Sequence, residues 1–184
     1  MRSPAALLFA CLLLVLNVRA QSPDSGHIQG DAYINSYFHI SYSWPKILTP
    51  YDTASLNLPH KSPYNNEFLL FSARQGDQPH GVVLMAERLN TPTPHSRGIK
   101  DAAQMMDMLI RFNPEQHVVI QSKKHFTSEN GFVFDELDYT ENGTYSSALI
   151  TPEGNFLLLF KCDAQSAADL AKMITSAVAL GKID

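Results

Sequence analysis

Alternation of apolar and polar side chains predicts the first strand of the chain. Between residues 37 and 44 every second side chain is apolar: Phe38, Ile40, Tyr42 and Trp44. A period of two is typical of a strand with one buried face, and Pro45 removes a donor from its hydrogen-bond ladder. Residues 46–66 are rich in turn-forming residues and show little periodicity, which predicts a long ordered loop with a short helical turn.

A hairpin and a helix follow. Residues 68–71 form a continuous apolar run, as expected of a strand covered on both faces, and residues 82–89 form its partner. Ser96 is then a candidate N-cap, and Asn113-Pro114 ends the helix. One face of this helix collects the apolar residues Ile99, Ala102, Ala103, Met106, Leu109 and Ile110.

The second half of the chain is predicted as a series of hairpins closed by a helix. Strands are expected over residues 118–127, 132–140, 145–150 and 156–162, with the hairpin-forming pair Asn142-Gly143 between two of them. Ser166 is positioned to cap a final amphipathic helix, and Gly181 to end it. Neighbouring strands with two helices set apart indicate one α+β domain over residues 33–184. We expect an antiparallel sheet of about six to seven strands with two main helices packed on it.

Residues 1–20 predict a cleavable secretory signal peptide. Arg2 precedes an apolar run over residues 5–16, and Val18 and Ala20 place small side chains before a cut at Gln21. That run is about 12 residues, whereas a membrane-crossing helix needs roughly 20. An uncleaved anchor is the alternative; attachment of lipid to Cys11 is disfavoured because apolar residues continue after it. The protein is expected to be secreted, to the periplasm or the extracellular space, with residues 21–32 as a flexible lead-in and no membrane span.

The charge of the processed chain excludes one class of partner. Loss of Arg2 and Arg19 lowers the number of Lys and Arg residues from 14 to 12, against 18 acidic residues. No basic block is present, so no nucleic-acid partner is expected.

Cys162 is the one cysteine that remains, and it cannot form an internal disulfide. The domain must therefore be stabilised by core packing, with Cys162 as a buried small side chain.

The order of elements resembles the PsbP-like fold, which is named for an extrinsic subunit of the photosynthetic oxygen-evolving complex and shared with a Ran-binding nuclear-transport factor. The likeness rests on residues 33–45 (YINSYFHISYSWP), on the long early loop and on the helix after a buried final strand. The order of Trp44 and Pro45 departs from the family, in which proline usually comes first. The resemblance implies a non-enzymatic accessory or binding protein, and no site residue is transferred from it.

An acidic stretch, residues 135–141, is the first candidate site. On a strand, Glu136 and Asp138 project from one face, and Glu141 begins the turn, so these carboxylates are candidate ligands of a divalent cation such as Ca²⁺. With a histidine such as His125 they are also candidates for acid–base catalysis. The alternative is a solvated sheet face with no function. No other cofactor is predicted.

Aromatic residues around the first strand and its loop are the second candidate site. They are Trp44, Tyr42, Tyr51 and Tyr64. Core and loop packing explains such side chains; the alternative is that they line a groove for a ligand or a protein.

The sequence contains no nucleophile elbow and no phosphate-binding loop. It therefore predicts a secreted, non-catalytic accessory or binding domain whose partner is an unknown protein or small ligand. The alternative is a small secreted hydrolase or metal-dependent protein that uses the acidic strand at residues 135–141.

Overall fold

A computed structural model of the protein describes residues 22–51, 66–76, 78, 80–92, 98–111 and 118–183. The predicted signal peptide, Tyr64 and Ser96 lie outside these residues. The described elements, in chain order, are β1 (His27–Gln29), β2 (Ala32–Asn35), β3 (Ile40–Tyr42), β4 (Thr49–Pro50), β5 (Glu67–Arg74), β6 (Gly81–Arg88), α1 (Ala102–Arg111), β7 (Val118–Thr127), β8 (Val133–Glu141), β9 (Thr144–Glu153), β10 (Phe156–Ala164), α2 (Ala167–Val178) and β11 (Gly181–Lys182). None of the helices among them is long and apolar enough to cross a bilayer.

Seven strands form one antiparallel sheet in the order β4-β5-β6-β10-β9-β8-β7. The hairpin β5–β6 and the run from β7 to β10 confirm the strands predicted from the apolar patterns. A two-residue turn at Asn142-Gly143 joins β8 to β9, and both residues have positive φ, at 51° and 83°. With helices α1 and α2, this sheet confirms the α+β class.

One face of the large sheet packs against α2 and against a second sheet. That smaller antiparallel sheet has the order β1-β2-β3-β11. Phe156, Leu158 and Phe160 of β10 lie in this core with Tyr42 of β3 and Met173 of α2. The N-terminus of α2 is capped as predicted, because the Ser166 hydroxyl accepts a hydrogen bond from the Asp169 N–H at 3.1 Å. The central strands are therefore buried on both faces, as their continuous apolar runs predict.

The opposite face of the large sheet packs against α1. Met105 and Met106 contact a second apolar cluster that includes Leu157 and Leu159 of β10. The helix begins later than predicted, and Asp101 rather than Ser96 caps it, since the Asp101 carboxylate accepts a hydrogen bond from the Gln104 N–H at 2.8 Å. Short polar side chains precede the helix at both positions, so sequence alone does not separate them.

The smaller sheet differs most from the sequence-based expectation. Strand β1 falls within residues 21–32, because Gly30, with φ of 60°, closes a two-residue turn that pairs β1 with β2. This part of the predicted lead-in is therefore a paired strand and not a free tail. The strand expected over residues 37–44 is shortened to β3, since the Asn35 side chain accepts hydrogen bonds from the N–H groups of Tyr37 and Phe38 and holds a turn there.

Candidate ligand-binding cleft

A cleft lies between the β1–β2 hairpin and strands β4 and β5. Its volume is about 430 Å³. Tyr33, Leu70 and Phe71 are the buried residues of its lining. The accessible part of the lining includes His27, Ile28, Pro50 and Tyr51. The cleft thus brings together the smaller sheet and one edge of the larger sheet.

Core packing fixes the buried part of the cleft. Phe71 contacts three other aromatic rings: Tyr33 at 5.5 Å, Tyr42 at 5.4 Å and Trp44 at 5.1 Å between centroids. The Tyr33 hydroxyl accepts a hydrogen bond from the Asn35 amide at 2.9 Å, and burial raises the pKa of Tyr33 to about 12. A Cβ atom at position 26 would lie 1.9 Å from the Tyr33 hydroxyl, so this position requires glycine. The floor is therefore preformed.

Two exposed apolar side chains lie on the rim of the cleft, and the Arg74 side chain contacts one of them. Ile28 is 49% exposed and Tyr51 is 42% exposed. Pairing of Thr49 with Arg74, and a hydrogen bond of 2.8 Å from the Tyr51 N–H to the Ser72 carbonyl, hold Tyr51 next to β5. The Arg74 guanidinium lies 4.7 Å from the centre of the Tyr51 ring, within cation–π range.

The four aromatic residues predicted to bind a ligand are separated by the structure. Tyr51 lines the cleft, and half-buried Trp44 stacks on Phe71 behind it. Tyr42 is fully buried, and its hydroxyl pairs with Ser176 of α2 at 3.1 Å, so it belongs to the core rather than to a binding surface. The prediction for Tyr42 is wrong because its strand face is covered by the large sheet and α2. Tyr64 lies outside the described residues.

The acidic strand is not a solvated face. Glu136 is 3% exposed, because it lies in register with Leu149 on the face that carries the core around α2. The Lys124 ammonium donates to Glu136 and, at 3.0 Å, to Asp138, which also accepts a hydrogen bond from Ser122. Burial raises the pKa of Glu136, whereas the hydrogen bonds to Asp138 outweigh its burial and lower its pKa. The pair is therefore a structural ion-pair cluster with Lys124.

The three predicted metal ligands do not converge. Glu141 lies on the opposite face of β8 from Glu136 and Asp138, beside a polar hollow of about 230 Å³. Lys124 occupies the position between Glu136 and Asp138 that a cation would need. Within the described ranges, no group of three or more His, Cys, Asp or Glu side chains is arranged to hold a metal ion.

The geometry of the sheet also argues against the acid–base alternative. His125 pairs with Asp135 at 2.8 Å on the other face of the sheet from Glu136, because adjacent residues of a strand project in opposite directions. The partner of Asp135 is therefore His125. The large sheet therefore lies between His125 and the carboxylates of Glu136 and Asp138, which the acid–base hypothesis combines with it.

Lys124→Met is expected to lower the free energy of unfolding by about 2 kcal/mol at pH 8, because it leaves the buried Glu136 carboxylate without its cation. The cost is below that of a fully buried pair, since the Lys124 side chain is 53% exposed. The loss should shrink as the pH falls and Glu136 takes up a proton. Urea unfolding at pH 8 and pH 5 measures the loss of stability. The matched control is Lys123→Met, because Lys123 is an exposed neighbour on the same strand. Equal effects of the two substitutions would contradict the ion-pair assignment.

Cys162 and Glu87 are the other buried titratable groups of interest. Cys162 is completely buried, as the sequence predicts, and burial raises the pKa of its thiol. Glu87 is 7% exposed, accepts a hydrogen bond from the Asn66 amide at 3.1 Å and lies opposite Glu67 in the β5–β6 pairing. Burial raises the pKa of Glu87 to about 7. Both groups lie outside the lining of the cleft.

Comparison with known proteins defines the fold. The chain matches no protein-family model and no curated protein. It is similar to the solution structure of cyanobacterial PsbP (CyanoP) from Synechocystis sp. PCC 6803, with a TM-score of 0.58 and 12% identity over 86% of this chain and 98% of that chain. Identity this low shows the fold alone and transfers no site. The chain therefore has a PsbP-like fold, which confirms the resemblance drawn from its sequence.

Proposed function

We propose that this protein is an exported, non-catalytic accessory or binding domain and that the cleft beside Tyr51 is its binding site. The observation that carries the proposal is a concave site in which the exposed side chains of Ile28 and Tyr51 lie over a preformed aromatic floor. Exposed hydrophobic side chains are ordinary when scattered, but a concave group of them with a few polar atoms is typical of ligand sites. Its volume of about 430 Å³ falls within the range of small-molecule pockets.

The separation of acid–base groups supports the non-catalytic part of the proposal. General acid–base catalysis needs side chains within hydrogen-bonding reach of one substrate. The carboxylates of Glu136 and Asp138 are engaged by Lys124, and His125 lies on the other face of the sheet. Among the described residues that line the cleft, His27 is the one titratable group of the kind used in such catalysis at neutral pH.

Ile28→Ser and Tyr51→Ser are each expected to weaken binding of the neutral dye Nile red about fivefold. The reason is that each removes apolar area that the dye would cover, worth about 1 kcal/mol for a side chain already half exposed. Fluorescence titration of the processed chain measures the affinity. Val119→Ser is the matched control, because Val119 is 56% exposed but lies on β7.

Nile red that binds at a single site and loses affinity in the two cleft variants, but not in Val119→Ser, supports the cleft as the binding site. If all three substitutions weaken Nile red binding equally, the dye binds exposed apolar surface without preference for the cleft. Either that result or a lack of saturable binding overturns the proposal.

Export is expected to remove residues 1–20. When the full chain is produced in a Gram-negative host, the recovered periplasmic protein should begin at Gln21, because Val18 and Ala20 supply the small side chains required before the cut. Intact mass and N-terminal sequencing check this. Ala20→Leu should leave unprocessed protein, whereas Ser22→Leu, beyond the cut, should not. A full-length product confined to the cytoplasm would exclude export.

A further inference from the structure

We infer that the polar hollow beside Glu141 is a second binding site, and that it takes a small uncharged ligand rich in hydroxyl groups, such as a monosaccharide. The hollow has a volume of about 230 Å³. Pockets for drug-sized molecules measure about 300–1,000 Å³, so the hollow suits a single sugar ring better than a larger molecule. The inference goes beyond the proposed function, because none of the described residues that line the hollow lines the cleft.

The hollow lies at one end of the large sheet, on the face that packs against α1. Strand pairing places Asp163 of β10 beside Ser146 of β9, and Glu141 of β8 beside Thr144 of β9. Lys161 lies two residues before Asp163 and therefore projects from the same face. Three neighbouring strands thus form the floor of the hollow, beyond the end of the apolar cluster under α1.

Contacts within the floor hold it in place before a ligand binds. The Ser146 hydroxyl donates a hydrogen bond of 2.7 Å to the Asp163 carboxylate, and the Lys161 ammonium lies 3.6 Å from the other carboxylate oxygen. That separation is longer than a hydrogen bond. Within the described ranges the Lys161 ammonium donates no hydrogen bond, so its N–H groups remain available to a ligand.

The buried side chain of His80 points to a ligand independently of these contacts. His80 directly precedes β6 and lines the hollow, yet it is only 8% exposed. In the part of the chain that the structure describes, its imidazole forms neither a hydrogen bond nor an ion pair. Buried polar side chains nearly always have a hydrogen-bond partner, because an unsatisfied one costs free energy. The partner of His80 is therefore expected to be a molecule in the hollow.

The charges of the hollow favour an uncharged ligand. An anion would be repelled by the carboxylates of Glu141 and Asp163, and a cation by the Lys161 ammonium. A zwitterion needs separated poles, whereas Lys161 and Asp163 lie side by side and neutralise each other. A hydroxyl group both donates and accepts, so it can pair with a carboxylate, an ammonium or an imidazole. A ring that carries several hydroxyl groups matches this lining, in which every described side chain is polar.

Saturation-transfer NMR on the chain prepared without residues 1–20 tests the class of ligand. The neutral probes are glucose, galactose, mannose and N-acetylglucosamine, and the charged probes are alanine and phosphate. At least one sugar should bind more tightly than alanine and phosphate, and it should not displace Nile red from the cleft. Failure of all four sugars to bind, tighter binding of alanine or phosphate, or displacement of Nile red by the sugar overturns the inference.

His80→Ala and Asp163→Asn are each expected to weaken binding of that sugar about fivefold, as for the loss of one hydrogen bond. His80→Gln, which retains a donor and an acceptor, should keep part of the affinity. Unchanged Nile red affinity in these variants shows that they fold. Ile28→Ser, which alters the cleft, is the matched control and should leave sugar affinity unchanged. Sugar affinity that is insensitive to both His80→Ala and Asp163→Asn, or equally sensitive to Ile28→Ser, overturns the site.

Discussion

Phe156→Ala is expected to lower the free energy of unfolding by about 4 kcal/mol, the typical cost of truncating a buried phenylalanine. Phe156 is 1% exposed and contacts the rings of Phe38 at 5.1 Å, Tyr37 at 5.9 Å and Phe68 at 6.0 Å. It therefore joins the turn between β2 and β3 to the large sheet. Urea unfolding followed by circular dichroism measures the change.

Val133→Ala provides the comparison for this experiment, because Val133 is an apolar strand residue that is 38% exposed. Its substitution should cost less than about 1 kcal/mol, since little apolar area is lost from the core. A similar small cost for Phe156→Ala would contradict the packing of the turn between β2 and β3 against the large sheet.

Glu87→Gln is expected to stabilise the protein by roughly 3 kcal/mol at pH 8 and by almost nothing at pH 4.5. Burial, together with the charge of Glu67, raises the pKa of Glu87 from 4.5 to about 7. The folded chain then binds more protons than the unfolded chain between these values, so this group lowers stability as the pH rises from 4.5 to 7. Glutamine keeps the acceptor for Asn66 and cannot titrate.

Urea unfolding of both proteins at several pH values between 4.5 and 8 tests the Glu87 prediction. Glu129→Gln is the control, because Glu129 is an exposed turn residue. Its difference from the unaltered protein should stay within about 0.5 kcal/mol at every pH. A Glu87→Gln difference that does not change with pH would show that Glu87 titrates normally in the folded protein.

The large sheet could be predicted from sequence because its strands are long and their turns carry strong local signals. Asn142-Gly143 sets the register of β8 and β9, and the apolar run at the start of β10 marks a doubly buried strand. The smaller sheet could not be predicted, since its strands contain two to four residues. Strand β11 pairs with β3, from which it is separated by most of the chain.

The cleft itself has no local sequence signal. Ile28, Tyr51 and Phe71 belong to three separate strands or loops, and they meet because the smaller sheet packs beside β4 and β5. The sequence points to Tyr51 because aromatic residues are common at binding sites, and the same argument includes Tyr42, which the structure buries in the core. Sequence spacing shows that residues share a strand face, but not whether another element covers that face.

The acidic strand shows the same limit. Alternation correctly placed Glu136 and Asp138 on one face, and Leu137 on the other. Glu136 on one face of β8 and Leu137 on the other are both buried, so polarity did not mark the solvent side. The compensating charge comes from Lys124 on the neighbouring strand, which pairs with Glu136 in register.

Because Cys162 is completely buried, the rate at which a reagent labels its thiol can report opening of the folded protein. A thiol reagent reaches this sulfur only after the core between the large sheet and α2 opens, because Cys162 lies in that core. In a chain prepared without residues 1–20, no other cysteine competes for the reagent. At reagent concentrations where labelling is faster than reclosing, the rate of labelling under native conditions would report the rate of opening, without denaturant or an engineered label.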